Sequence, residues 1–576
     1  MISDFDLEGK NKLQKAIYYL EHYGMVYTLK KAMRKIGIPV SEMSEYTAWC
    51  KRNATPPQML EIQAKSDITQ IMTLVVVAGE GTDFKRGGWE RQTCQSVILA
   101  EITEGRTLTA LLNIYKEGDA FVFCGRNIKV QPDFLFEVFN SFHSRNKKCI
   151  SRIRPGKEIL PDLVYTDEDN CFGKTRCRPF FKPDASMQML LNFPYLGECF
   201  AVRRSLLEKI VRDVGHIKLN PDSWYGLSLQ AFRLAVNIRH IPKVLFSNVV
   251  GEQNKTEFYW NQSIQNEDYL KEYLELEEIP GEVIKSDVPG FFHIRQKLKE
   301  EPLVSIIIPN KDHIEDLKLC LTSLAQKSNY TNYEVIIAEN NSQEPETFSY
   351  YESLQEEDKR ISVITWEGPF NYSAINNFAA RKAKGELLLF LNNDTEFMDA
   401  DSLREMVVSV LKPGVGACGA MLYYGDNTIQ HAGVIIGMGG FAAHALWSLT
   451  DRDGRYFPFS LCEREVSAVT GACLMVRRDV FEEVGGMEEE FVVALNDVDF
   501  CMKVRVAGYD ILFNPYAKLY HYESKSRGYE DTEEKQARFQ SEIDRFQEKW
   551  QEEIEKGDPF YNPNLTLHRA DYSMDI

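Results

Sequence analysis

Two rhythms of apolar and polar positions alternate along this chain. Short continuous apolar runs bounded by turn residues predict buried strands, and apolar positions recurring every three or four residues predict helices. Residues 1–65 carry the helical rhythm, broken around Gly37-Ile38-Pro39 and Ala54-Thr55-Pro56-Pro57. From Thr73 the run TLVVVA predicts a strand, followed by Gly79, Gly81 and a helical pattern from Trp89 to Leu99. Ala120–Cys124 and Leu163–Thr166 predict further strands, and Phe134–His143 and Ser186–Leu191 further helices. This unit ends near residue 260. Trp260–Leu298, acidic and helical and then turn-rich, reads as a connection. At Pro302 the rhythm sharpens. Strands Leu303–Ile308, Tyr333–Ala338, Ile361–Trp366 and Glu386–Leu391 alternate with helices Ile314–Gln326 and Ala374–Lys384. Further on, FCMKVRVAG predicts a helix and Ile511–Phe513 a strand, closed by a turn at Pro515.

Strands alternating with helices predict an α/β fold, a mostly parallel sheet with helices on both faces. In such sheets ligands sit beyond the carboxyl ends of the strands. Three polar clusters fall at those ends: Asn310–Asp312, Glu339–Ser342 and Asn392–Asp394. In the third, the run Leu387–Leu391 stops abruptly and exposes amide and carboxylate oxygens, the donors that hard divalent cations take together with phosphate oxygens. The same residues also suit a plain strand-end turn. Two later clusters carry chemistry. In Leu495-Asn496-Asp497-Val498-Asp499, one carboxylate caps the following helix and the other is available as a base; position favours Asp499 as the cap and Asp497 as the base. In Tyr520–Gly528, His521 is either a structural histidine or a metal ligand, and Lys525, Ser526 and Arg527 suit phosphate.

Composition narrows the field. With 576 residues, 44% hydrophobic and 26% charged, the chain has the make-up of a soluble protein of two or three domains. Its net charge of −18 argues against nucleic acid as a partner. The 12 cysteines form no CxxC pair, which suits reduced thiols in a cytoplasmic protein. No apolar run approaches a membrane span, and MISDFDLEGK is not a signal peptide. The first 36 residues are locally basic, through Lys10, Lys12, Lys15, Lys30, Lys31, Arg34 and Lys35. They read as a solvated helical cap or as a peripheral contact with the inner face of the cell membrane. No GxGxxG follows the strand at Leu303, and no GxxxxGK[ST] occurs in this half.

PLVSIIIPNKD, VIIAENNS, FNYSAINNFAARKAKGELLLFLNNDTEF, VTGACLMVRRDVFEEVGGMEEEF and ALNDVDFCMKVRVAGYDILFNPYAKLYHYESKSRG together resemble family 2 glycosyltransferases of GT-A fold, of the bacterial rhamnosyltransferase-like kind. The resemblance covers about residues 302–530. It implies that Pro309, Asn310 and Asp312 line a nucleotide pocket, with Glu339 and Asn341 at base and ribose. Asn377 and Lys382 would close over the nucleotide. Asn392-Asn393-Asp394 stands at the family's DxD motif, with Asn392 in place of the first aspartate, so Asp394 becomes the main ligand for Mg2+ or Mn2+. His521 stands at a second ligand and Asp497 at the catalytic base. Lys525, Ser526, Arg527, His431 and Asp499 fall on the diphosphate and sugar side. The stretch from Gln430 through Gly437, Gly439 and Gly440 to His444 is either a sugar-side loop or a glycine-rich turn.

The implied activity is metal-dependent transfer, with inversion, from a nucleotide sugar (dTDP-rhamnose first among donors) to a growing cell-surface polysaccharide or lipid-linked glycan. The alternative is a non-catalytic scaffold or carbohydrate-binding protein of a glycan-assembly complex. Residues 70–250 resemble the same family more faintly. The implied order is a helical segment 1–65, a degenerate and inactive GT-A-like domain 66–260, a linker 261–301, an active domain 302–545 and a tail 546–576. In the degenerate domain Cys124-Gly125-Arg126-Asn127 stands at the metal motif, Trp224 at the base and Ser247 at the closing histidine. Asp167, Glu168 and Asp169 are expected to cap or to be solvated in a loop.

Overall fold

A computed structural model describes residues 42–66, 72–94, 96–143, 150–151, 160–215, 217–251, 265–450, 458–523 and 532–575. The basic segment 1–36 and Lys525, Ser526 and Arg527 lie outside them. The chain is mixed α/β and builds two large sheets. In the first, the order is Val97–Ile102, Leu74–Gly79, Ala120–Cys124, Cys199–Arg203, Leu163–Phe172, Asn237–Val249, Ile128–Val130. In the second it is Ile361–Thr365, Tyr333–Glu339, Val304–Asn310, Leu387–Leu391, Cys473–Arg477, Val415–Tyr423, Asp510–His521, Thr395–Phe397. Apart from the edge strand Ile361–Thr365, the orders correspond strand for strand, and so do the directions. Each sheet has parallel neighbours around its first strand, then two antiparallel steps, a parallel step and a short antiparallel closing strand.

The strands form where apolar runs meet two covered faces. Every residue of Leu387–Leu391 is buried, and each such side chain contributes roughly 1.5–3 kcal/mol on leaving water. Three expectations need correction. The segment Trp89–Leu99 is not a helix: it holds a single turn, Trp89–Arg91, and then enters the strand Val97–Ile102, whose β-branched residues pair with Leu74–Gly79. Pro515 does not end the strand begun at Asp510. The register jumps from Ala420↔Asn514 to Met421↔Lys518, so a bulge absorbs the proline and pairing continues to His521. Asp167, Glu168 and Asp169 lie buried within the strand Leu163–Phe172. Asp169 accepts from Arg176 and Tyr46, Glu168 from Lys182 and Asn248, and Asp167 from His240 and Asn562, so each buried charge is paired.

The segment 265–296 forms the helix Gln265–Leu276 and the hairpin Gly281–Lys285/Phe292–Gln296. The two sheets are sewn together by buried polar contacts. Glu465 accepts from the Ser186 hydroxyl and the Met187 N–H, and Asn192 Oδ1 accepts from the Glu463 N–H at 2.7 Å. The helix Glu533–Lys556 runs across position 545, so no boundary falls there. Beyond it the chain is a packed strap. Asn562 donates to Asp167, Asn564 to the Pro242 carbonyl, and Tyr572 stacks on Phe459.

Candidate functional site

The carboxyl ends of Val304–Asn310, Tyr333–Glu339 and Leu387–Leu391 open on one edge of the second sheet. After Leu391 the chain turns through Asn392-Asn393-Asp394 into the short strand Thr395–Phe397, which pairs Thr395 with His521. Asp394 and His521 therefore meet, with Oδ1 and Nε2 3.2 Å apart and both side chains about nine-tenths buried. The imidazole is oriented from behind. The Gln430 amide donates to Glu523 at 3.0 Å, so its oxygen faces His521 Nδ1 at 2.6 Å and takes the N–H. This leaves the Nε2 lone pair toward Asp394, the way a buried neighbour fixes the tautomer of a metal-binding histidine. The Asn392 amide lies 3.2 Å from the same nitrogen.

Two acceptors facing each other across 3.2 Å fit a shared cation or a shared proton. Among the described residues no group of three or more His, Cys, Asp or Glu is arranged so that it could hold a metal ion by itself. The donor set fits a divalent ion that takes one or two protein ligands and completes its shell with diphosphate oxygens and water.

Asp497 reaches the same place through the backbone. The helix Asn496–Val506 starts from Leu495, held at φ 60°, and Asp497 Oδ2 accepts from the Gly471 N–H at 2.7 Å. The next residue, Ala472, accepts from the Asn392 N–H at 3.0 Å. The Gly471 peptide is held from its other side by the Tyr372 hydroxyl, which donates to its carbonyl at 2.7 Å. A Cβ at Gly471 would stand 2.9 Å from that hydroxyl. Burial and the nearby Asp497 charge push the Tyr372 phenol up, so it stays a donor. Tyr372 and Gly471 had no role in the sequence reading. The signal for Gly471 was an isolated glycine at the start of an apolar run, which marks close backbone approach.

Other expected residues hold the pocket's frame. Asn310 donates to Tyr351 and Asp312 and accepts from Asn393, and Pro309 precedes it half-buried. Glu339 is buried and takes both the N–H and the hydroxyl of Ser342. Asp312 accepts from the N–H groups of Gln343 and Glu344, which ties the first strand's end to the second's. Asn341 is exposed in the left-handed region at φ 59° and donates to Gly368.

Lys382 is exposed just beyond the end of its helix. Three assignments change. Asn377 is clamped to Met487 and Glu489. His431 is fully buried, and its Nε2 accepts from the Gly433 N–H. Burial, with His444, Arg464 and His521 nearby, keeps it well below the ordinary histidine range, a neutral packing residue. Asp499 neither caps its helix nor reaches the site, because it accepts from Trp550 and Lys549 of the helix Glu533–Lys556. The glycine-rich stretch links the short strands Val434–Ile436 and Ala442–His444. Gly437, Gly439 and Gly440 all have positive φ, and Gly440 accepts from Gln547.

The duplicated topology locates the equivalents in the first unit. Gly125-Arg126-Asn127 joins Ala120–Cys124 to Ile128–Val130 as Asn392-Asn393-Asp394 joins its strands. The register places Asn248, not Ser247, opposite Ile128, where His521 stands opposite Thr395. Counted from the helix start, Asp497 corresponds to Gly226, and counted back from the following strand it corresponds to Trp224. Tyr269 packs so closely at Gly226 that a Cβ would come within 2.6 Å of its ring.

Residues 305–485 match the family model for glycosyl transferase family 2. The chain is 34% identical over 487 residues to the O-antigen biosynthesis protein RfbC of Myxococcus xanthus, covering 83% of this chain and 36% of that protein. It is 30% identical over 126 residues to an N-acetylglucosaminyl-diphospho-decaprenol L-rhamnosyltransferase of Mycobacterium tuberculosis, covering 20% of this chain and 40% of that one. The chain thus spans well under half the length of these curated relatives. Among solved structures, the mannosyltransferase PcManGT of Pyrobaculum calidifontis, in complex with GDP-Man and Mn2+, matches with TM-score 0.34 and 17% identity over 48% of this chain and 70% of that one.

Proposed function

From the glycosyltransferase family 2 domain that this chain carries, we infer a metal-dependent, inverting transfer of a sugar from a nucleotide donor to a cell-envelope glycan. The observation that carries the reading is the convergence on one sheet edge of Asp394, His521 and Asp497, the last linked to the metal motif through Gly471 and Ala472. Asp394 Oδ1 and His521 Nε2 would hold the divalent ion, which when bound offsets negative charge on the departing diphosphate.

The chain's own groups do the rest. Asp497 takes the proton of the acceptor hydroxyl as that oxygen attacks the anomeric carbon from the face opposite the diphosphate. A single displacement of this kind inverts the anomeric centre and needs no second nucleophilic carboxylate. Asn310, Asp312 and Glu339 keep the strand ends fixed, so the donor meets a preformed pocket. The names of the two relatives support an envelope polysaccharide or lipid-linked acceptor, and the mycobacterial one supports dTDP-rhamnose as the first donor to try. We assign the first unit no turnover, because Gly125, Arg126, Asn127, Asn248 and Gly226 supply neither a metal-binding carboxylate nor a base. The site then works on the cytoplasmic side, where nucleotide sugars are made. Among the described residues no helix is long and apolar enough to cross a membrane.

A panel of nucleotide sugars with Mg2+ or Mn2+, scored for nucleoside diphosphate release, tests the reading. The expected result is one donor turned over by wild type and at least ~100-fold more slowly by Asp497→Asn, the lower range for losing a general base. No release from any donor, with lipid-linked acceptors present, would replace this reading with that of a scaffold.

A further inference from the structure

The family match ends at residue 485, before Asp497, and the sequence rhythm placed the chain's last residues outside the active domain. The contacts say otherwise. The helix Glu533–Lys556 lies along the segment 488–499, a loop that runs into the first turn of the helix Asn496–Val506 and presents Asp497, and it grips that segment on both sides. On one side Glu542, 3% exposed, accepts from the N–H groups of Val493 and Ala494 at 2.9 and 3.1 Å. These are backbone donors in the turn just before the helix Asn496–Val506. On the other side Asp499, fully buried, accepts from Trp550 Nε1 at 2.8 Å and Lys549 Nζ at 2.6 Å. Asp497 lies between the two grips. Leu495, at φ 60°, carries the turn that aims it, a conformation costly for a branched residue and held only if the surroundings impose it.

We propose that this helix is part of the catalytic apparatus: Glu542, Asp499 and Trp550 are positioning residues that fix the loop carrying Asp497. The kinetic arm of the test rests on Asp497 being the base. The structural arm does not.

In the structural arm, hydrogen exchange is followed on the full chain for peptides spanning 488–499, in wild type, Glu542→Gln and Trp550→Phe. Glu542→Gln keeps side-chain shape, and Trp550→Phe removes the indole N–H donor together with one ring. Faster exchange confined to 488–499 is expected. Unchanged exchange in both variants overturns the clamp. Acceleration spread over both sheets also overturns it, because it assigns these residues to global stability alone. In the kinetic arm, on any donor the wild type turns over, each variant is expected to lower kcat roughly 10-fold or more. KM for the donor and the Mg2+ or Mn2+ requirement should stay within about 2-fold. In an Asp497→Asn background the same changes are expected to cost nothing further, since they act through that carboxylate. An equal loss in both backgrounds refutes the positioning role. Absence of turnover by wild type counts against Asp497 as base, while the exchange result still decides the clamp.

Discussion

His240 tests the joint between the first unit and the strap. Its imidazole is buried, stacked on Tyr165, with Nε2 2.8 Å from Asp167 and Nδ1 3.2 Å from Asp184. Burial pushes the imidazolium down, but Asp167 and then Asp184 more than reverse this and hold the group at about 9, against 6.5 for an unperturbed histidine. The folded pKa is raised, so the folded state favours the charged form. The stabilisation is fully present below about pH 6.5 and is lost as pH rises through 9. A shift from 6.5 to about 9 corresponds to ~3 kcal/mol at the acid end, of which ~2 remains near pH 7.5 and under ~0.5 at pH 9.

The perturbation is His240→Gln, which keeps a hydrogen-bonding side chain without a titration. Urea unfolding midpoints, measured every half unit from pH 6 to 9, are converted to free energies for both proteins. Wild type is expected to lose ~3 kcal/mol relative to the variant across that range, most of it above pH 7. Parallel curves would show that His240 is not charged in the folded protein, and that Asp167 is neutralised by another route. Asp167 also receives both contacts from Asn562 at 3.0 Å. Above pH 9 the wild-type strap should therefore become more susceptible to proteolysis, as the variant's should at every pH.

Three further outcomes are expected. Gln430→Leu removes the group that orients His521, so half-activating Mg2+ or Mn2+ should rise about 10-fold with maximal rate nearly unchanged; an unchanged requirement would place the ion away from His521. Gly471→Ala pushes a methyl to 2.9 Å from the Tyr372 hydroxyl and should cost most of the activity. Adding Tyr372→Phe should restore part of it, and no recovery would mean the strain lies in the peptide itself. Glu465→Ala strips the Ser186 hydroxyl and Met187 N–H of their acceptor between the units, and the unfolding free energy from urea titration should fall by about 2 kcal/mol; a change under about 0.5 kcal/mol would make this contact incidental.

Most strands of the parallel halves were legible because LVVVA, III, VIIA and LLLFL are continuous apolar runs, which a strand buried on both faces requires; Val97–Ile102 was not, because it is an edge strand with half-exposed positions. The placement of Asp394, His521 and Asp497 at strand and helix ends was legible because each stands where an apolar or helical run begins or stops. What stayed hidden depends on contacts across long sequence separations. His431 and Asp499 carry the right chemistry, but only tertiary packing shows that one is enclosed and the other is spoken for by Trp550, 51 residues on. Asn377 failed for the same reason: its amide was free in the sequence and is committed to Met487 in the fold. The bulge at Pro515 hid the longest pairing in the second sheet, because a proline ordinarily ends a central strand.

The two sheets share one topology and differ in what fills their strand ends, and this bears on why a chain would keep both. Where the second unit has Asp394 and His521, the first has Asn127 and Asn248, and Asn248 donates to Glu168. Where the second has Asp497 at a helix start, the first has Trp224, Tyr225 and Gly226, the last under Tyr269. Its acidic side chains have instead become internal: Glu168 pairs with Lys182, Asp169 with Arg176, and Asp167 with His240 and the strap residue Asn562. An active site must leave charge unpaired until substrate arrives, which costs stability. The first unit has paired all three, so it can serve as a rigid base. The strap seated on Asp167 continues directly from the helix whose Glu542 and Trp550 hold the Asp497 loop. The first unit is thereby connected, through one continuous stretch of chain, to the segment that carries Asp497.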